Sequence, residues 1–434
     1  MSIAVLTSFD NAKLRYIIDY VFAERLGFDY VLNPAEISSD TFVLSYGTNH
    51  SAKISIPDSG YLHSAGVSDT EPVCTTDADN NVYLFASDKS QDISFDIFAA
   101  IFFMLSRNEE YVVKERDSHG RFDIQHSFAF KHNFHQRAVV DEWIIMLRKQ
   151  LLNYLPENLF KKDIPSMSVT IDVDMMYSYH TKGFFRNMAA WGRDLVSGKF
   201  KAFSERPLVL MGIKKDPYDT YDIVEKIRQN YNLQIIFFIL ASQHRTNYDK
   251  NGNLNHNRSI NTIRRLEKQA IIGLHPSYYS IDDNDKLITE KNILEKISDT
   301  SIKSARCHYL RLRLPDTYRQ MVNAGIAHDY TMGFASNYGF RAGTSRPFKF
   351  FDLTDDNVLP LTIHPFCVMD GSLKDYQQLS VEQAQAELIK ISDYIKSING
   401  HFEILIHNDT LSNKGRWKGW AGILENTIKK FYSK

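Results

Sequence analysis

Ser166-Met-Ser-Val-Thr-Ile-Asp-Val-Asp174 is the stretch on which the fold turns. Met167, Val169, Ile171 and Val173 alternate with Ser168, Thr170, Asp172 and Asp174. A repeat of two belongs to a β-strand with one apolar and one polar face. Asp172 and Asp174 therefore project the same way from the strand's end. Adjacent carboxylates repel unless a cation or a shared proton lies between them, so the pair points to a metal or acid–base site. A solvated strand-to-loop turn is the competing reading, since aspartate is common in turns.

Downstream of this strand the pattern alternates. Strands are predicted over 234–240, 271–275, 304–308, 328–334, 359–364 and 402–407. Amphipathic helices are predicted over 220–231, 260–269, 289–297, 315–324, 381–398 and 419–431. Strand–helix alternation implies a parallel α/β sheet, and the count suits a (β/α) barrel over 164–434, complete or slightly irregular, with seven strands expected.

Upstream, residues 1–160 read as a smaller α+β domain with no residue set at catalytic spacing. A helix is predicted over 14–26 and short strands over 41–44, 52–56 and 82–86. Asp92-Ile-Ser-Phe-Asp96 caps an apolar helix running to Leu105, and Glu109 and Glu110 read as its solvated end. A helix over 140–155 closes the region, with Pro156 and the lysine pair at Lys161 as its boundary.

Composition narrows the function. The chain has 434 residues, of which 43% are hydrophobic and 24% charged, a globular composition with ample core material. A net charge of −1 gives no basic excess for a nucleic-acid partner. Cys74, Cys307 and Cys367 lie too far apart for a zinc motif or a disulfide framework. The opening residues lack a basic segment followed by an apolar one, and no run approaches the ~18 apolar residues needed to span a bilayer. A cytoplasmic protein without a transmembrane segment is expected; the oligomeric state is left open.

Titratable groups close the strands. Barrel active sites form at the C-terminal ends of the strands. Asp172 and Asp174 end the first, His275 another, Arg306 and His308 share a face of a third, and His364 and His407 end two more. A single such histidine is more often structural than functional. Carboxylate plus imidazole suits a divalent cation such as zinc, cobalt or iron, which would activate water for hydrolysis.

These motifs, in this order, resemble the NodB-homology polysaccharide deacetylases, in the bacterial branch with an extra N-terminal domain of unassigned function. The resemblance covers about 164–434, with Leu105-Ser-Arg-Asn-Glu-Glu-Tyr111 and Val140-Asp-Glu-Trp143 supporting it upstream. Thr170-Ile-Asp-Val-Asp174 stands where the family has Thr-Phe-Asp-Asp, so Asp172 matches the general base. Val173 fills the place of the metal-binding aspartate, and Asp174 is the substitute on the shared face. In His275-Pro-Ser-Tyr-Tyr279, His275 matches the first metal histidine, while Tyr279 replaces the second and is placed among substrate contacts. Arg306-Cys-His-Tyr309 matches Arg-x-Pro-Tyr. The resemblance implies that Arg306 holds the base and that the backbone N–H of Tyr309 serves an oxyanion. His308, in place of proline, could supply the missing imidazole, with His180 and His364 as alternatives. Leu405-Ile-His407 makes His407 the general acid. Trp417 and Trp420 could stack a sugar ring or pack the core.

The resemblance implies removal of an N-acetyl group from an acetylated amino sugar or glycan precursor, with one divalent ion, zinc first and cobalt, iron or nickel as alternatives. A degenerate barrel that binds glycan without hydrolysing it is the alternative, favoured by Val173 and Tyr279. A carboxylate-only glycosidase is disfavoured, because its two acids must flank the bond and Asp172 and Asp174 share one strand.

Overall fold

The computed structural model describes residues 2–39, 41–48, 51–87 and 92–433. Its strands fall into two main sheets and a ribbon. Upstream, β1 (Ser2–Thr7), β2 (Asp29–Leu32), β3 (Phe42–Tyr46) and β4 (Ile54–Ile56) form a parallel sheet of order β2-β1-β3-β4. A ribbon of β5 (Cys74–Thr76) and β6 (Val82–Leu84) follows. The large sheet is built from β7 (Ser166–Val173), β8 (Gln234–Leu240), β9 (Ile271–His275), β10 (Ser304–Ala305), β11 (His328–Asp329), β12 (Phe348–Asp352), β13 (Asn357–Ile363), β14 (Val368–Met369) and β15 (His401–His407). Its order is β12-β13-β11-β10-β9-β8-β7-β15-β14. Eight of these strands run parallel and β12 pairs antiparallel to β13.

The sheet is rolled. Arg306, just past β10, is fully buried, with its guanidinium 4.7 Å from the ring of Phe238 on β8 and 5.5 Å from that of Phe366 beyond β13. It also lies 3.8 Å from Glu403 on β15. Side chains from around the sheet can meet on one residue only if the sheet curls about it. Between β13 and β14 no strand ladder forms among the described residues, so hydrogen bonding leaves the expected barrel open there, with eight parallel strands rather than seven.

The polar face of β7 is largely turned away from bulk water. Ser168, Thr170 and Asp172 are buried like their apolar neighbours, because the rolled sheet turns that face inward. Inside, Ser168 donates to Glu403, Thr170 Oγ1 donates to the Ile404 carbonyl at 3.1 Å, and Asp172 meets Arg306. The helices outside start where local chemistry dictates. Ser380 and Gln383 form a reciprocal cap on Val381–Ser397, and Asp283 accepts from Lys286 N at 3.1 Å to begin Asn284–Ser298.

The two sheets share one apolar core. Tyr16 and Phe102 each bring a ring within 5.2 Å of Phe351 on β12. Asp141 accepts from Arg25 at 2.7 Å, Thr344 Oγ1 at 2.9 Å and Ser345 N at 2.7 Å. Glu110 is not a solvated helix end: it is 3% exposed and accepts from Arg107 Nε at 2.9 Å and from Arg341 Nη2 at 2.5 Å. Its partner Arg341 lies 231 positions away, beyond the reach of local pattern. Two helices, Phe184–Val196 and Phe200–Leu210, are inserted after β7 where the sequence had predicted none. No described helix is long and apolar enough to cross a membrane.

Candidate functional site

Asp172 ends β7 beside His407 on β15 and Phe238 on β8, a register that puts two titratable strand ends side by side. It accepts from Arg306 Nη1 at 3.1 Å. Arg306 is held in turn by donating Nε to the Tyr330 carbonyl at 2.8 Å. A buried arginine without a carboxylate would be costly, so each member of the pair fixes the other.

Asp174, His275 and His308 converge in front of this pair. One ligand atom from each lies within 4.8 Å of the others. Asp174 Oδ1 is 3.3 Å from His275 Nε2 and 3.5 Å from His308 Nε2. That oxygen is buried without a hydrogen-bond partner among the described residues, although the rest of the side chain reaches the cavity. The imidazoles are anchored from behind. His275 Nδ1 faces the Arg306 carbonyl at 2.5 Å, and His308 Nδ1 faces Asp249 Oδ1 at 2.9 Å. Both rings thus turn Nε2 forward, as metal-ligating histidines do.

Charge in the trio is balanced internally. Burial opposes ionisation of Asp174, yet the facing histidines hold its carboxyl well below the usual range. Burial likewise opposes the His308 imidazolium, but Asp174 and Asp249 on either side lift it to about 9. A positive charge between these carboxylates is therefore strongly favoured, and a divalent cation meets that need as well as a proton does. An orphaned carboxylate oxygen facing two oriented imidazoles fits zinc or a similar ion.

His407 forms the opposite wall. Its Nδ1 lies 2.8 Å from Asp370 Oδ1, and its backbone N–H donates to Asp370 Oδ2 at 2.7 Å. Thr410 Oγ1 donates to the same carboxylate. Burial disfavours the His407 imidazolium, but Asp370 overrides this and raises it well above the ordinary histidine range. Asp172, Asp174, His275, His308, Tyr309 and His407 line one cavity of about 310 Å³. Tyr309 enters it from a tight turn, with φ at +60° there and +54° at Leu310. Side chains with a Cβ rarely adopt that region without surrounding support.

The aromatic expectations fare differently. Trp417 and Trp420 are 2% and 3% exposed, pack edge to face at 5.5 Å, and belong to the core, so neither offers a free face to a sugar. Trp417 Nε1 donates to Asp409 Oδ2 at 3.0 Å. Tyr279 is partly exposed among Tyr248 and Tyr278 and lies outside the cavity wall. His364 stacks on Tyr330 at 4.3 Å and meets His328 at 3.1 Å, and His180 lies along a separate groove, so neither joins Asp174.

Several neighbours of the candidate site escaped the sequence. Asp249 lies in an irregular loop beyond β8, where no periodicity marks it. Asp370 directly follows β14, and the strand-end rule would have found it had 368–369 been read as a strand. Arg121, from the upstream region, lines the cavity too. It donates to the Tyr309 carbonyl and to Tyr376 Oη, both at 3.1 Å, while Asp117 accepts from its Nε at 2.6 Å. Arg311 returns the contact by donating to the His119 carbonyl at 2.9 Å. The N-terminal region thus braces the turn that carries His308 and Tyr309.

A family model described as a family of unknown function, DUF7033, matches residues 3–156. No curated protein sequence matches the chain. Among solved structures, a Mycobacterium smegmatis protein assigned to the polysaccharide deacetylases is 15% identical with a TM-score of 0.39, covering 62% of this chain and 84% of its own. The peptidoglycan deacetylase PdaC from Bacillus subtilis is 14% identical with a TM-score of 0.30, covering 61% and 82%. BA3943, a family 4 carbohydrate esterase pseudoenzyme from Bacillus anthracis, is 8% identical with a TM-score of 0.30, covering 63% and 66%. Likenesses this distant do not carry a shared activity.

Proposed function

We propose that this chain is a metal-dependent hydrolase that removes the N-acetyl group from an acetylated amino sugar of glycan or cell-envelope metabolism. The observation that carries the proposal is one cavity holding three parts: the Asp174, His275 and His308 ligand atoms, the Asp172–Arg306 pair, and the His407–Asp370 pair. The three parts correspond to a cation site, a base and an acid. Asp174 and His308 would hold the ion together with His275, which answers the substitutions at Val173 and Tyr279 and favours the hydrolase over a binding-only barrel.

A divalent cation held there supplies Lewis acidity to the acetamide carbonyl and acidifies water. Asp172, held in place by Arg306, accepts the proton as water oxygen attacks the carbonyl carbon. The backbone N–H of Tyr309 stabilises the developing oxyanion, with the tight turn setting its position. His407, protonated and oriented by Asp370, gives its proton to the nitrogen as the C–N bond breaks. Acetic acid and the amine are formed and leave as acetate and ammonium after exchanging a proton, and passage of the proton from Asp172 to His407 restores both residues.

Acetate release from a panel of N-acetylated amino sugars and their oligomers tests the proposal. Asp172→Asn should lower kcat by at least about a hundredfold while metal content and fold persist. Turnover retained in that variant would remove Asp172 from the base role.

A further inference from the structure

We propose that the helical hairpin inserted after β7 is a docking face for the surface of an anionic phospholipid bilayer. The hairpin comprises the helices Phe184–Val196 and Phe200–Leu210 and the turn running on to Ile213. The hairpin combines apolar exposure and positive charge on one outer face. Nine of its large apolar side chains are exposed, among them Phe184 (72%), Phe185 (87%), Val196 (89%) and Phe200 (68%). A large exposed apolar patch on an otherwise polar surface marks an interaction site.

Charge identifies the partner. Between Lys182 and Lys215 lie eight basic and two acidic residues, a net charge of +6 in a chain whose total is −1. Arg193, Lys199, Lys201, Lys214 and Lys215 are exposed alongside the apolar residues. Phenylalanine and aliphatic side chains flanked by lysine and arginine suit the headgroup boundary of an anionic leaflet. A second copy of this face would bring +6 against +6, which disfavours a two-fold contact. Helices of 13 and 11 residues fall short of the ~20 needed to span hydrocarbon, so the hairpin would lie in the interface.

The exposed residues are not left over from an unformed hairpin, because its inner side carries specific contacts. Trp191 stacks on Phe203 at 4.8 Å and donates Nε1 to the Phe203 carbonyl at 2.9 Å. Arg206 binds Asp194 at 2.6 Å and Asn187 Oδ1 at 3.1 Å, and its guanidinium lies 4.6 Å from the ring of Tyr179. An apolar groove of about 410 Å³ remains between the helices, lined by Phe184, Met188, Trp191 and Leu210. Glu205 pairs with Lys414 at 2.5 Å, two residues from Arg416 at the site cavity, so the hairpin is fastened beside the cavity mouth. A surface-bound protein would thereby hold its cavity next to the bilayer.

The test is flotation of the full chain with vesicles, which reads binding without catalysis and so stands apart from the hydrolase proposal. Vesicles of phosphatidylglycerol and phosphatidylcholine should carry the protein, and pure phosphatidylcholine at least about tenfold less of it. Lys199→Glu with Lys201→Glu should weaken partitioning by about tenfold or more, and Phe185→Asp with Phe200→Asp by about a hundredfold. All four positions are exposed, so thermal denaturation without lipid should be unchanged. Failure to float at millimolar anionic lipid, or equal flotation of the variants, overturns the proposal. A dimer in light scattering that the phenylalanine variant dissociates also overturns it, by assigning the face to a second copy.

Discussion

Replacing Asp249 by asparagine isolates one negative charge behind the candidate metal site. Asp249 is fully buried and accepts from Tyr278 N at 2.9 Å and Thr246 Oγ1 at 3.0 Å, besides facing His308 Nδ1 at 2.9 Å. Asparagine has nearly the same shape, and its amide oxygen can still accept from Nδ1. The ring orientation survives, the Thr246 bond must reverse its direction, and the charge is lost. Alanine would also strand the Tyr278 N–H, adding a folding cost to the readout. A carboxylate behind a ligating imidazole raises its basicity, and losing one typically weakens metal binding about 10- to 100-fold, or roughly 1.4–2.7 kcal/mol. Zinc competition against a chromogenic chelator measures this directly, with thermal denaturation of the stripped protein as the control for fold. Asp249→Asn should bind zinc weaker by that factor and melt within a few degrees of wild type. An affinity within about threefold of wild type would refute the reasoning that Asp249 acts through His308.

Two further outcomes follow from groups the upstream region contributes. Burial works against the charge on Glu110, but Arg341 and Arg107 hold its carboxyl down to about 2. The folded value lies below the unfolded one, near 4.3, so this stability is present above about pH 4.3 and is lost as pH falls towards 2. The loss is roughly 3 kcal/mol. Glu110→Gln should flatten the acid limb of stability in urea titrations between pH 4.5 and 2, and an unchanged limb would contradict the assignment. Arg121→Ala frees the Tyr309 carbonyl, and a small displacement of the oxyanion donor should cut kcat/KM by about tenfold or more. Metal stoichiometry should stay at the wild-type value, whereas loss of metal would mean that Arg121 supports His308 instead.

The repeat of two in Met167–Val173 and the strand ends at His275 and His407 were legible because alternation and strand-end chemistry are local. β8 and β9 fall at their predicted bounds for the same reason: continuous apolar runs buried on both faces leave little choice of end. The polar face of β7 misled, because a rolled sheet can bury serine, threonine and aspartate if distant partners satisfy them. Ser168 depends on Glu403, and Asp172 on Arg306. Glu110 misled for the same reason, its neutralising Arg341 being far away in sequence. Trp417 and Trp420 looked available because burial of an aromatic is set by tertiary packing, which the loop sequence around them does not encode. The hairpin after β7 escaped a search for core-forming stripes because nine of its large apolar residues face outward.

Elemental analysis of the purified protein beside its His275→Ala variant tests the central claim most directly. Asp174, His275 and His308 bring their ligand atoms within 4.8 Å, so wild type should carry close to one equivalent of a divalent metal, zinc first, and the variant should lose it while remaining folded. No metal in wild type after reconstitution, or equal metal in both proteins, would contradict the account.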